Sequence, residues 1–419
     1  MLPFVPRLFP DITPLQASRD YRLLWTGQLV SQAGSALRLV AIPYQIYLLT
    51  QSNLAVGLIG LFSAVPLIVF SLFGGVIADR IDRRRLLLIT QACLALVSAA
   101  LAITTMLGVA SPTVLYLLTA LGSAFSALDT PARGSLAPIL VGRRLIPAAM
   151  ALNQMNNRVG AIIGPALGGV VIAAFGISTA YWIDVATFSV AIVAIALMRV
   201  PHVAGVEHPP VLRALVDGWR FLLARPLLFS TMGADFCTML FGTTRALMPY
   251  FADRVFHVGP EGLGLLYASP AIGATIVVLT SGWLSSVRRK GAGVLASIVI
   301  FGVANALFAF VPSGAFLIAC ALLAIGEGAD SISTILRHTI LQLETPDELR
   351  GRLASINLLF VASGPQAGQV VSGVVADAMT PEISILAGGI ACVGVAFAAA
   401  SLAPQVVRYR APLEEPVAV

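Results

Sequence analysis

Charge is what this 419-residue chain has least of. Only 11% of its residues are Asp, Glu, Lys or Arg, against about 25% in soluble domains. Hydrophobic residues make up 58%, and mean hydropathy is +0.91. A chain this apolar can hide its surface only in a bilayer. Cysteine and histidine are scarce too. Cys93, Cys237, Cys320 and Cys392 each fall inside an apolar run, where they read as small buried hydrophobes rather than disulfide partners. His202, His208, His257 and His338 are dispersed with no pair at metal-ligand spacing, so no metal site is expected. His338, a lone histidine beside Arg337, reads as structural. There is no phosphate-binding glycine loop, which argues against an enzyme or a nucleotide-driven pump. The formal charge of +6 is spread over loops. That speaks for membrane topology and against a nucleic-acid partner. No cleavable leader is visible, because the apolar patch Phe4 to Pro10 is short and holds Pro6 and Arg7.

Apolar runs are what the chain has in abundance. Twelve are long enough to cross about 30 Å of hydrocarbon as helices. They cover 22–49, 54–78, 86–108, 112–137, 147–175, 179–199, 226–256, 262–286, 291–311, 314–341, 350–378 and 382–403. The one long connection, from Val200 to Arg225, is broken by Pro201, Pro209 and Pro210. Its second part, Leu212 to Leu223, sets Arg213, Asp217 and Arg220 among apolar residues and predicts an amphipathic helix on the membrane surface. The expected fold is an all-α membrane protein of twelve transmembrane helices in two six-helix bundles. The bundles span 1–205 and 226–419, joined by a cytoplasmic linker at 206–225. With the N-terminus in the cytoplasm, twenty of the 26 basic residues fall in cytoplasmic loops and tails, and only Arg254 falls outside. Both termini are therefore expected on the cytoplasmic side.

Gly160, Gly164 and Gly168 recur every four residues in Arg158 to Gly169 and share one helix face. Such a face admits close approach of another helix, expected here to be one of the opposite bundle. By itself the pattern fits a packing seam equally well. Pro165 removes a backbone donor, which a membrane bundle can compensate. Gly364-Pro365-x-x-Gly368 repeats Gly164-Pro165-x-x-Gly168 at an offset of 200, Asn157 and Asn357 keep that offset, and Arg133 and Arg337 are 204 apart. The chain thus reads as two structural repeats.

Gly74-Gly75-Val-Ile-Ala-Asp79-Arg80-Ile-Asp82-Arg83-Arg84-Arg85 resembles the signature loop of the major facilitator superfamily. It departs from that pattern at Asp82, where glycine is usual. The cognate stretch of the second half, Gly282 to Lys290, keeps the glycine and the basic cluster but has Ser286 in place of the acid. The resemblance implies a conformational-switch loop of Gly75, Asp79, Arg80, Arg83 and Arg84, with Asp79 docking at the N-terminus of the eleventh span in the outward-facing state. Gly160, Gly164, Pro165, Gly168 and Gly169 look like the fifth-span motif of the drug:proton antiporter branches, which the resemblance associates with efflux. Further stretches are similar to the bacterial enterobactin exporters: Val141-Gly142-Arg143, Arg220-Phe-Leu-Leu-Ala224-x-Pro226, Gly264-x-x-Tyr267-Ala268-x-Pro270 and Leu341-Gln342-x-x-Thr345-Pro346. Asp129-Thr-Pro131-Ala-Arg133 looks instead like macrolide-efflux relatives. The resemblance runs from Tyr21 to Pro404.

Ionisable residues inside the spans complete the candidate site. A charge at bilayer depth costs at least about 2.5 kcal/mol, so each is a functional candidate. Coupling or cavity charges are Arg38, Arg158, Asp184, Asp235, Arg245, Glu327, Asp330 and Arg337. Asp129 and Arg133, four apart, form a cytoplasmic pair whose other reading is a structural latch. Asp184 and Asp235 have the alternative of reaching water from near a helix end. Glu327 and Asp330 share one face of the tenth span, and two nearby carboxylates cannot easily both ionise. They are the expected proton-coupling groups, with Arg337 as charge partner. Gln28, Ser31, Gln32, Gln45, Thr243 and Thr244 suit a water-filled cavity or interhelical contacts.

The expected protein is a secondary exporter in the bacterial cytoplasmic membrane. It works as a monomer, needs no cofactor and draws on proton antiport. Its cargo is a small amphiphilic or anionic molecule, a siderophore or a drug. Uptake or lysolipid translocation is the alternative within the same class. A non-transporting receptor or scaffold would have no use for two mid-membrane carboxylates.

Overall fold

The computed structural model describes residues 11–80, 82–199 and 218–410; within them the side chains of 72–80, 347, 348, 351, 352, 355 and 358 lie outside the description. The described chain is helical nearly throughout. After a short α1 (Thr13–Ala17) come α2 (Arg19–Thr50), α3 (Asn53–Arg80), α4 (Arg83–Met106), α5 (Pro112–Val141), α6 (Ile146–Phe175) and α7 (Ile177–Leu197). A helical stretch at 218–223, α8, precedes α9 (Pro226–Gly242) and a three-residue α10 (Met248–Tyr250). The chain continues through α11 (Gly259–Thr280), α12 (Lys290–Phe308), α13 (Phe316–Glu344), α14 (Asp347–Ala378), α15 (Pro381–Leu402) and α16 (Pro404–Arg408). Among the described residues, ten helices are long and apolar enough to cross a membrane. Two expected spans are not among the ten. The polar residues of α2 dilute its apolar character, and α9 stops after 17 residues.

The expected helix over 226–256 is in fact broken. α9 ends at Gly242, Thr243 and Thr244 leave the helix, and Arg245–Leu247, Met248–Tyr250 and Phe251–Val255 continue as 3₁₀, α and π turns. The sequence explains part of this. Pro249 has no N–H to offer the carbonyl of Arg245. The Tyr267 hydroxyl donates to that carbonyl instead, at 3.1 Å. One turn earlier, buried Asn305 donates Nδ2 to the Gly242 carbonyl at 3.0 Å. Both substitutes are what an interrupted helix needs where water is absent.

The chain divides into two compact units. Unit 1 is Met1–Ile42 with Val65–Glu207, and unit 2 is Pro43–Ala64 with His208–Val419. Unit 1 buries Leu24, Leu86, Leu87, Ala132, Leu136, Ile195 and Met198 in one cluster. The Tyr21 hydroxyl donates to Ala149 O at 2.9 Å and Trp25 Nε1 to Leu152 O at 3.1 Å, fixing α2 to α6. Unit 2 centres on Leu222, Leu228, Met232, Val294, Ile298, Leu336, Ile340, Leu353 and Ile356. Leu222 brings α8 into that core, and Trp219 stacks on Phe360 with centroids 5.8 Å apart. Residues 206–217 of the expected linker lie outside the described residues.

The glycine faces are packing seams, and each lies within one unit. A Cβ at Gly164 would collide with Ala36, and one at Gly168 would sit 3.1 Å from Leu37 Cα. So the α6 face packs on α2 of its own unit, which corrects the expected partner in the opposite bundle. The reason is local: Ala36 and Leu37 present backbone and small side chains at the matching height. The repeat holds in unit 2, where Gly364 and Gly368 face Met239 of α9. Gly164→Leu should therefore overpack the α2–α6 seam and destabilise the protein by about 1–3 kcal/mol. The check is thermal unfolding in detergent, and an unchanged Tm would contradict the seam.

Candidate functional site

In unit 1, α7 carries Asp184 fully buried. Its Oδ2 accepts from Ser98 Oγ of α4 at 2.6 Å and lies 3.6 Å from Arg38 Nη1 of α2. Ser35 Oγ donates to its other oxygen at 3.4 Å. Arg38 also donates to Ser98 Oγ at 3.1 Å, and its guanidinium lies 5.9 Å from the Phe188 ring centroid. Asp184 is thus enclosed and paired rather than reaching water, because α2 and α4 both turn polar groups toward it.

A second cluster lies on α5. Asp129 Oδ2 accepts from Arg133 Nε at 3.0 Å and Nη2 at 2.8 Å. Its Oδ1 accepts from Thr90 Oγ1 and Gln91 Nε2, each at 2.8 Å. All four polar contacts on one carboxylate fix the Arg133 side chain, whose Nη1 is left buried without a hydrogen bond. Gln32 Nε2 donates to Asn157 Oδ1 at 2.8 Å. These groups border a cavity of about 420 Å³, lined among others by Gln28, Ser31, Gln32, Arg38, Asp129 and Arg133. Sequence reasoning passed over Thr90, Gln91 and Ser98. Their signal was available: Gln91 and Ser98 are seven apart on one face of an otherwise apolar run.

In unit 2, Asp235 of α9 and Arg337 of α13 form an ion pair, with residues 5% and 3% exposed. Asp235 is therefore paired in the core, not reaching water. Glu327 and Asp330 lie on α13 one turn apart. The charged groups acting on Asp330 are Glu327, Asp235 and Arg337, and Thr334 hydrogen-bonds it. Glu327, Asp235 and Arg337 thus all act on Asp330, whereas in unit 1 Arg38 pairs with Asp184 and Arg133 with Asp129. Arg245, at the break after α9, is exposed and lies 5.4 Å from the Tyr267 ring centroid. Arg158 is half-buried and makes no hydrogen bond or ion pair among the described residues. His338 borders a separate cavity of about 440 Å³ with Gln342, Thr345, Arg350 and Asn357.

The signature loop is partly in view. The side chains of Gly75, Asp79 and Arg80 lie outside the described residues. Asp82, the departure from the family pattern, caps α4 by accepting from Arg85 N at 2.9 Å. Arg84 caps the other side of the unit: its Nε donates to Ile195 O at 3.0 Å and its Nη2 to Ala196 O, at the end of α7. Among the described residues, no group of three or more His, Cys, Asp or Glu could hold a metal ion.

This helical architecture, with charges buried in pairs, is that of a polytopic membrane carrier, and comparison with known proteins agrees. The family described as transmembrane secretion effector matches residues 11–412. The enterobactin exporter EntS of Citrobacter koseri is 29% identical over 404 residues, 96% of each chain. EntS of Shigella boydii serotype 18 is 30% identical over 381 residues, 90% of each. Among solved structures, the nucleoside transporter NupG aligns with a TM-score of 0.74 at 16% identity, over 92% of this chain and 99% of its own. A bacterial homologue of the human lysosomal transporter Spinster gives 0.73 at 16%, over 94% and 98%. The chain belongs to the transmembrane secretion effector family of the major facilitator superfamily and is a multi-pass membrane transporter.

The Arg38–Asp184 pair yields a double-mutant test. Arg38→Leu leaves a fully buried carboxylate uncompensated and should cost about 3–5 kcal/mol. Asp184→Leu should cost a similar amount, and the double variant much less than the sum. Thermal unfolding of the three variants measures this; strictly additive losses would mean the two side chains do not interact.

Proposed function

We propose that the chain is a proton-driven secondary exporter of a small amphiphilic or anionic molecule, a siderophore being the first candidate. In this reading it sits in the bacterial cytoplasmic membrane as a monomer, with both termini in the cytoplasm. Twelve spans form two six-helix bundles, 1–205 and 226–419, joined by 206–225. The relatives' named cargo, enterobactin, supports the siderophore. The Gly160, Gly164, Pro165, Gly168 and Gly169 motif supports export, and the arginine distribution supports the orientation. The cavity of unit 1 supplies amides, hydroxyls and the fixed guanidinium of Arg133 for cargo. Gly75, Asp79, Arg80, Arg83 and Arg84 bias the conformational states from the cytoplasmic end.

The observation that carries the coupling is the excess of carboxylate around Arg337. Arg337 pairs with Asp235, and Glu327 and Asp330 stand one turn apart on the helix that carries that guanidinium. At bilayer depth such a pair favours holding a proton. Filling and emptying that proton site changes the net charge of the cluster, which biases inward and outward states. Arg245 and Arg158 remain available to an anionic cargo.

Glu327→Gln and Asp330→Asn should therefore differ. At least one should abolish gradient-driven export of enterobactin while keeping cargo binding and cargo exchange. Export in energised and uncoupled vesicles measures this. If both variants still concentrate cargo under an imposed pH gradient, the coupling site is elsewhere.

A further inference from the structure

The cavity of about 440 Å³ that His338 borders lies wholly within unit 2, where α13 ends and α14 begins. Gln342 and Thr345 enter it from the stretch Leu341 to Pro346, which plays no part in the proposed export. Two of its polar groups are buried and unpartnered. Thr345 is 4% exposed, and its Oγ1 makes no hydrogen bond. Asn357 is 9% exposed, and its amide makes none among the described residues. Buried polar groups are nearly always met by a partner, so two left open around one cavity point to something that fills it.

The duplicated plan shows where the partners of Asn357 went. In unit 1 its counterpart Asn157 accepts from Gln32 Nε2 at 2.8 Å and donates to Gln154 Oε1 at 3.5 Å. At the offset of 200 that relates Asn157 to Asn357, Gln154 is replaced by Ala354, which lines the cavity. Gly164 packs on Ala36 and Gly364 on Met239, so α9 follows α2 at an offset of 203. That offset sets Asp235 in the place of Gln32, and Asp235 is committed to Arg337. Unit 2 has thus lost both internal partners of this asparagine and holds a cavity in front of it.

The groups around the cavity select its occupant. Thr345, Asn357 and Gln342 offer hydroxyl and amide donors, and no acid lines the space. Arg350 stands exposed at the rim and donates Nη2 to the Gln342 carbonyl at 3.4 Å, which holds its guanidinium over the last turn of α13. A cation would meet that guanidinium, whereas a carboxylate or phosphate meets charge-assisted donors. Leu341, Leu353 and Val361 supply an apolar wall.

We propose that this cavity binds a small amphiphilic oxyanion, with the charged group on Arg350 and Asn357 and the apolar body against Leu353 and Val361. A soluble organic acid and a lipid headgroup share that chemistry. The site stands apart from proton-driven export, and its test needs no transport.

Ala354 is exposed at the cavity and serves as the reporter position. Full-length protein carrying Ala354→Cys is labelled in detergent with a maleimide. Peptide mass separates labelling at position 354 from that of the four native cysteines. Benzoate should slow this labelling saturably, and benzamide, its neutral counterpart, should not. Arg350→Gln should weaken the protection about tenfold, the size of one charge-assisted hydrogen bond. Thr345→Val should weaken it about fivefold and leave the ligand-free Tm unchanged or raised, because the hydroxyl has no internal partner to lose. Dihexanoyl phosphatidic acid tells the two sources apart. Protection by benzoate supports a soluble acid, and protection by the lipid alone supports a headgroup. Equal protection by benzamide, or protection by none of the three, overturns the site. Undiminished protection in both variants, or a ligand-free Tm lowered by Thr345→Val, overturns it as well.

Discussion

The cost of stranding a charge in hydrocarbon without a counter-charge organises both units. It explains why Ser98, Ser35 and Arg38 converge on Asp184. It explains why Asp129 is saturated by Arg133, Thr90 and Gln91. It also explains the rescue of broken α9, where Asn305 and Tyr267 supply the hydrogen bonds that the interrupted helix cannot. Apart from Arg133, which shares α5 with Asp129, these partners come from other helices, so satisfying the polar groups also fixes which helices pack together.

The two units solve the problem differently although they repeat one plan. The α2–α6 glycine seam of unit 1 has its counterpart between α9 and α14 in unit 2. Arg133 and Arg337 occupy matching places. In unit 1 the acid for the arginine is one turn away, at Asp129. In unit 2 the corresponding position is Ser333, 204 residues on, which cannot neutralise a guanidinium. Arg337 turns instead to Asp235 on α9. That pairing commits Arg337 to Asp235 on another helix, while Glu327 and Asp330 stand one turn apart on α13. One duplicated plan thus carries different charge patterns in its two halves.

Most helices were legible in the sequence because length and apolarity suffice to define a span. The repeats were legible through Gly164-Pro165 and Gly364-Pro365, since glycine spacing survives duplication. Their packing partners were not, because a bare helix face says only that something comes close. The pairing of acids with arginines was likewise hidden: Asp184 and Arg38 are 146 positions apart, and only tertiary packing brings them together. The break after Gly242 had one visible cue in Pro249, but Thr243 and Thr244 are not helix breakers. That Pro43–Ala64 joins the second unit has no signature in composition at all. Asp82 is the reverse case: it departs from the family loop, and α4 shows it to be a helix cap.

In the proposed mechanism cargo moves in one direction while protons move in the other. Purified protein in liposomes, with a pH-sensitive dye and the cargo of the export assay trapped inside, tests it when the vesicles are diluted into cargo-free buffer at equal pH. Cargo leaving by antiport must bring protons in, so the account predicts that the lumen acidifies in step with cargo loss. Cargo loss with a constant luminal pH would contradict it.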